Sequence, residues 1–171
     1  MTLRRSLDAL YDAAGVLAAL FLMGTLAMVL TGIAGRLFDF HVPGTDAYAG
    51  YCMAGTGFLA LAHTLKRGEH IRVSLILEHV GAAAHRWLEL WSLAVATLLA
   101  GLFAFYSVRL SYQSWQFTDI STANDATPLW IPQLAMAAGT LILLIAFADE
   151  LVIEWTGRRV HAKPGEALHH E

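Results

Sequence analysis

The chain has 171 residues, of which 57% are apolar and only 15% charged, with a formal net charge of −3. Soluble domains carry about a quarter charged residues, so the composition argues against an ordinary water-soluble fold. The slight acidic excess gives no reason to expect a nucleic-acid partner.

The placement of charge is more informative than its amount. Asp, Glu, Lys and Arg are missing from four stretches, 13–35, 47–65, 90–108 and 126–148, each 19 to 23 residues long. A helix crossing a bilayer needs about 20 such residues. The first stretch follows Arg4 and Arg5, as a secretory signal would. A signal's apolar region runs to about 7–15 residues, however, and Asp8 and Asp12 sit where a signal is basic, so the segment is read as a retained span. A short connection with the turn pair Pro43-Gly44 leads to the second span. The single cysteine, Cys52, lies within that span and reads as a small buried side chain.

Residues 69–86 differ from the spans. Val73, Ile76, Leu77, Val80, Ala84 and Trp87 recur at helical spacing, while Arg72, His79 and Arg86 fall seven apart on another face. This pattern predicts an amphipathic helix lying in the membrane interface, with Gly68 as the break before it. The third span follows. The fourth is entered through Pro128-Leu129-Trp130-Ile131-Pro132, where proline suits a helix's first turn and Trp130 suits the interface. Trp87, Trp91 and Trp155 count to the opposite interface. Residues 160–171 are polar and expected to be disordered.

Basic residues orient the chain. Arg4, Arg5, Lys66, Arg67, Arg72, Arg86, Arg158, Arg159 and Lys163 share one side, against Arg36 and Arg109 on the other. Cytoplasmic flanks carry the excess, so both termini and the middle connection are expected in the cytoplasm. The fold expected is therefore an all-α integral membrane protein: one domain over residues 1–159, with spans at about 13–35, 47–65, 88–108 and 130–153. The interfacial helix occupies about 69–86 on the cytoplasmic side.

Few residues offer chemistry. His63 is the one histidine well inside a span, and haem ligation needs facing histidines at one depth. It reads as a hydrogen-bonded or interfacial histidine. Asp12, Asp149, Glu150 and Glu154 cluster at helix ends and read as solvated interfacial charges. The span centres lack acids, whereas a proton-coupled exporter needs one there. No metal spacing, P-loop or nucleophile–base arrangement is present, so neither a cofactor nor an enzymatic activity is expected. Small residues repeat every fourth position at Ala96, Ala100 and Ala104, at Gly50 and Ala54, and at Ala135 and Gly139. Such stripes let helices approach closely in lipid, within the chain or against a partner.

At Leu65-Lys66-Arg67-Gly68-Glu69-His70-Ile71-Arg72-Val73 the sequence resembles the small, DctQ-like membrane subunit of tripartite ATP-independent periplasmic (TRAP) transporters. That family carries a basic-Gly-x-His-Ile-Arg-Val run after its second span. The four spans, the arginine closing the first (Gly35-Arg36-Leu37-Phe38) and the proline- and tryptophan-containing entry to the fourth agree with it, over about residues 7–155. Pro43-Gly44-Thr45-Asp46 stands where many members have a tryptophan followed by acids.

The resemblance implies a scaffold subunit in the bacterial inner membrane. It would support a large multi-span permease that takes up an organic acid by symport, the acid being delivered by a periplasmic binding protein. Candidate interface and lipid-anchoring residues are Arg36, Lys66, Arg67, Gly68, His70, Arg72, Arg86, Trp130 and Pro132. Of these, Lys66, Arg67, Arg72 and Arg86 are expected to meet lipid phosphates, and His70 to fix the turn or touch the permease. Asp39, Asp46, Asp119 and Asp125 are placed on the outer side, towards the binding protein. The alternative is a self-contained four-helix exporter acting as a homodimer.

Overall fold

The computed structural model describes residues 2–40, 42–67, 82–123 and 125–156. Four helices account for nearly all of them: α1 (Thr2–Leu37), α2 (Thr45–Lys66), α3 (Ala82–Gln116) and α4 (Trp130–Trp155). Among the described residues no strand forms; a single bridge pairs Ile120 with Pro128.

The apolar runs extend further as helix than the uncharged stretches alone indicated. At 1.5 Å per residue, α1 and α3 are about 54 and 52 Å long, against a hydrocarbon core of about 30 Å. Their polar ends therefore project beyond it or the helices tilt. Residues 82–86, assigned from sequence to the end of the interfacial helix, instead open α3 without a break. The remainder of that helix, 69–81, the break at Gly68, and the polar tail 160–171 lie outside the described residues.

Both long helices stop in the same way. Asp39 (φ 55°) and Thr118 (φ 53°) adopt the left-handed conformation, and the next amide reaches back five residues. Phe40 N–H donates to the Gly35 carbonyl at 3.0 Å and Asp119 N–H to that of Ser114 at 3.0 Å. This pairing satisfies carbonyls the helix end would otherwise strand. Pro132 falls in the first turn of α4, where an N–H would lack an intrahelical partner in any case.

The helices lie in the order α1–α2–α4–α3, each packed on the next, with α1 meeting α4 only slightly. The α2–α4 joint is central and very close. A Cβ on Gly139 would lie 2.5 Å from the Phe58 carbonyl oxygen, so only glycine permits this approach. Phe58 also meets Phe103 of α3, ring centroids 5.8 Å apart. The α1–α2 seam sets small groups under large ones, with Phe21 over Gly55 and His63 over Gly15. Ala100 and Ala104 are buried on α3, whereas Gly50 and Ala54 face outward from α2.

Among the described residues three helices, α1, α3 and α4, are long and apolar enough to cross a membrane. Their outer faces expose Leu17, Leu20, Met23, Leu26, Leu98, Leu102 and Phe105, among others. A contiguous apolar surface of this extent belongs in lipid rather than water.

Candidate functional site

Polar side chains gather at two levels, one at each end of the bundle. At the charged end lie the start of α1, the end of α2, the start of α3 and the end of α4. Here Lys66 reaches from α2 to α4, where its ammonium donates to Asp149 and, at 3.1 Å, to Glu150. All three side chains are at most one-fifth exposed. The ammonium also lies 5.3 Å from the centroid of the Tyr11 ring, which is 2% exposed and packs with Ala62, Leu65, Leu143 and Ala146. A largely covered ion pair of this kind holds its partners mainly because neither charge tolerates losing the other.

Next to it, His63 Nδ1 donates to the Tyr11 carbonyl at 3.2 Å and stands 3.6 Å from Asp12 Oδ1. Its ring rests on Gly15, where a Cβ would come within 2.9 Å. The histidine is thus a hydrogen-bonded element of the α1–α2 seam, as its isolation in the sequence suggested. Asp12 is largely solvated. Glu154 is not: it is 2% exposed, and with Asp149 and Glu150 it corrects the reading of the α4 acids as solvated interfacial charges. Their cause is common, since α2 and α3 cover the face of α4 that carries them.

The other end is built from connections. Tyr51 of α2 places its hydroxyl 2.9 Å from Ser121 Oγ and 3.0 Å from Asp125 Oδ2, and it donates to the carboxylate. The Thr127 and Tyr48 hydroxyls lie 3.2 Å apart, and the rings of Tyr48 and Tyr51 meet edge to face. The 117–129 connection is closed on itself by Ser121 N–H to the Thr127 carbonyl and Leu129 N–H to that of Asp119, both 2.9 Å. It is thereby stapled across the start of α2.

Partial desolvation pushes the Asp125 carboxyl up, but hydrogen bonds from Thr127, Ser121 and Tyr51 outweigh it and hold the group below its ordinary value of 3.8. A depressed carboxyl stabilises the fold above its unfolded pKa and loses that contribution only as pH falls through the folded one. Amide-exchange protection of 117–129 should therefore be constant from about pH 8 to pH 5 and fall below about pH 4. Loss of protection already at about pH 6 would show that Asp125 is not the group that closes the staple.

The residues singled out from sequence scatter between these levels. Arg36, at the end of α1, is exposed and 3.9 Å from an equally exposed Asp46. Lys66, expected at lipid phosphates, turns inward to α4. Arg67 caps α2 through its backbone N–H with its side chain exposed. Arg86 donates to the Trp155 carbonyl at 3.4 Å. Trp130 and Pro132 are half-buried at the start of α4. Gly68, His70 and Arg72 lie outside the described residues. Trp87, Trp91 and Trp155 are exposed at the charged end. Sequence reasoning did not find the Tyr51–Asp125 staple, for which no local pattern exists. The Lys66 pair had a signal in the opposite charges closing α2 and α4 at one depth.

Among the described residues, no group of three or more His, Cys, Asp or Glu side chains could hold a metal ion, and the spans' centres carry no acid or base. Such a chain is a helical integral membrane protein whose polar groups join its own helices. The sequence matches the family model for tripartite ATP-independent periplasmic transporters, DctQ component, over residues 25–157. The chain belongs to this family and is a component of a transporter, not of an enzyme family. No curated protein is significantly similar to it in sequence.

Proposed function

We propose that the chain is the small permease subunit of a TRAP transporter in the bacterial inner membrane, a static scaffold for a large multi-span permease. The permease would take up an organic acid by symport, and a periplasmic binding protein would deliver it. In this reading α2 is a fourth span, residues 1–159 form one domain, and both termini with the 67–86 connection face the cytoplasm. Residues 69–81 lie in the interface beside the start of α3.

The observation that carries the proposal is the exposed face of α2. At 22 residues, about 33 Å, the helix is long enough to span, yet it falls short of the apolarity of the other three. Its outward face nevertheless presents the small residues Gly50, Ala54 and Gly57, with open space around both glycines. A face of this kind gains little from lipid and favours close approach of another helix. The absence of a central acid in the described spans also disfavours the self-contained exporter.

Anchoring follows from the ends. Arg67, Arg72 and Arg86 would meet lipid phosphates at about 1 kcal/mol each. Trp87, Trp91 and Trp155 at one level and Trp130 with Pro132 at the other would fix the depth. His70 would set the turn into the interfacial helix or touch the permease. Replacing Arg72 by glutamate should lower the yield of the complex several-fold without changing insertion. Unchanged yield and uptake would remove the contact role. Topology is tested separately, in a Cys52→Ser background. A membrane-impermeant maleimide applied to intact cells with a permeable outer membrane should label Thr122→Cys and spare Arg159→Cys. The reverse pattern would invert the orientation.

A further inference from the structure

A cleft of about 520 Å³ opens between the last turns of α1, residues Asp39, Phe40, Val42 and Gly44 of the connection that follows, and the first turn of α2. We infer that this cleft is a phospholipid headgroup site that selects a zwitterionic aminophospholipid. Its walls include Thr31, Arg36, Asp39, Phe40, Thr45 and Asp46. The site rests on the reading of α1 as a span, because Arg36 ends an uncharged stretch of spanning length and so falls at headgroup depth.

The guanidinium is available. Arg36 and Asp46 approach only to 3.9 Å, with side chains 80% and 91% exposed, a pair too loose and too wet to hold either group. A planar guanidinium takes a phosphodiester through two parallel hydrogen bonds. The first turn of α2 also lines the cleft, and its N-cap, Gly44, supplies no side-chain acceptor, leaving N–H donors beside the guanidinium.

The sign of the cleft sets the class of ligand. Among the described lining residues one cation, Arg36, stands with two carboxylates, Asp39 and Asp46, a balance of −1. That balance disfavours inorganic phosphate, a soluble organic acid or an anionic lipid. It suits a headgroup whose phosphate meets Arg36 while its primary ammonium meets Asp39 or Asp46.

The test is native mass spectrometry of the full chain, with whatever copurifies, released from nanodiscs of equimolar phosphatidylethanolamine and phosphatidylglycerol. Wild type should retain phosphatidylethanolamine several-fold over phosphatidylglycerol. Arg36→Ala should reduce retention to background, and the double variant Asp39→Asn/Asp46→Asn should reverse the preference. Circular dichroism of each variant controls for folding, and Arg36→Lys separates fork geometry from charge by losing most but not all of the retention. Equal retention of both lipids, insensitivity to Arg36→Ala, or displacement by millimolar inorganic phosphate would overturn the site. The membrane reading fails independently, by extraction of the chain from membranes with alkaline carbonate. The scaffold reading fails by the absence of a permease in the purified material.

Discussion

Replacing Lys66 by methionine is expected to destabilise the folded chain by up to about 3 kcal/mol, the lower end of the cost of breaking a fully buried ion pair by removing one partner, because this pair is largely but not wholly covered. The magnitude follows from what the substitution leaves behind. Asp149 and Glu150 are largely covered, and both lose the ammonium that pairs with them. Loss of the ammonium above the Tyr11 ring adds about 0.5–1 kcal/mol. Neutralising the whole group is a different matter, because uncharged side chains of similar volume need no counter-ion. The triple variant Lys66→Met/Asp149→Asn/Glu150→Gln should therefore recover most of the loss. Unfolding in mixed micelles, titrated with denaturing detergent, measures both. A single variant within about 0.5 kcal/mol of wild type, the range of ordinary surface changes, would show that the pair does not join the two halves of the bundle.

Replacing Gly139 by leucine should separate α2 from α4. The added Cβ alone would lie 2.5 Å from the Phe58 carbonyl oxygen and 2.6 Å from its carbon, and a main-chain contact cannot swing aside as a side chain can. Overpacking a well-filled core costs about 1–3 kcal/mol, and here the helices themselves must move. Both the melting temperature in detergent and the yield of any complex should fall. The same change at Gly50, with nothing within 4 Å, should leave the melting temperature of the isolated chain unchanged and lower only the yield of the complex. If Gly139→Leu is as stable as wild type, the close α2–α4 joint is not a feature of the folded chain.

The helices were legible because charge is costly in hydrocarbon and leaves long uncharged stretches. The uncharged stretch 47–65 lies within α2, and most of the stretch 126–148 lies within α4. The ends of α1 and α3 were not legible from charge. Arg4, Asp8, Asp12, Glu89 and Arg109 interrupt the apolar pattern, yet the backbone continues through them as helix, since helix formation does not require lipid. The same blind spot separated residues 82–86 from the span they begin.

At the candidate site, residue type and depth suggested that charges near Lys66 would face lipid and water. What decided otherwise was the order α1–α2–α4–α3, which places the end of α2 against the end of α4. A pairing across 83 residues of sequence has no local signature. Tyr51 and Asp125, 74 residues apart, were unreadable for the same reason. His63 was read as a hydrogen-bonded or interfacial histidine, and its Nδ1 hydrogen bond to the Tyr11 carbonyl agrees with that reading.

The measurement closest to the central claim is purification of the tagged chain from gently solubilised native membranes, with the mass and composition of the eluted particle determined. A stoichiometric particle containing one copy of this chain and one large multi-span permease is expected. A clean homo-oligomer, with no permease under conditions that preserve lipid, would contradict the scaffold account and reopen the case for the four-helix exporter.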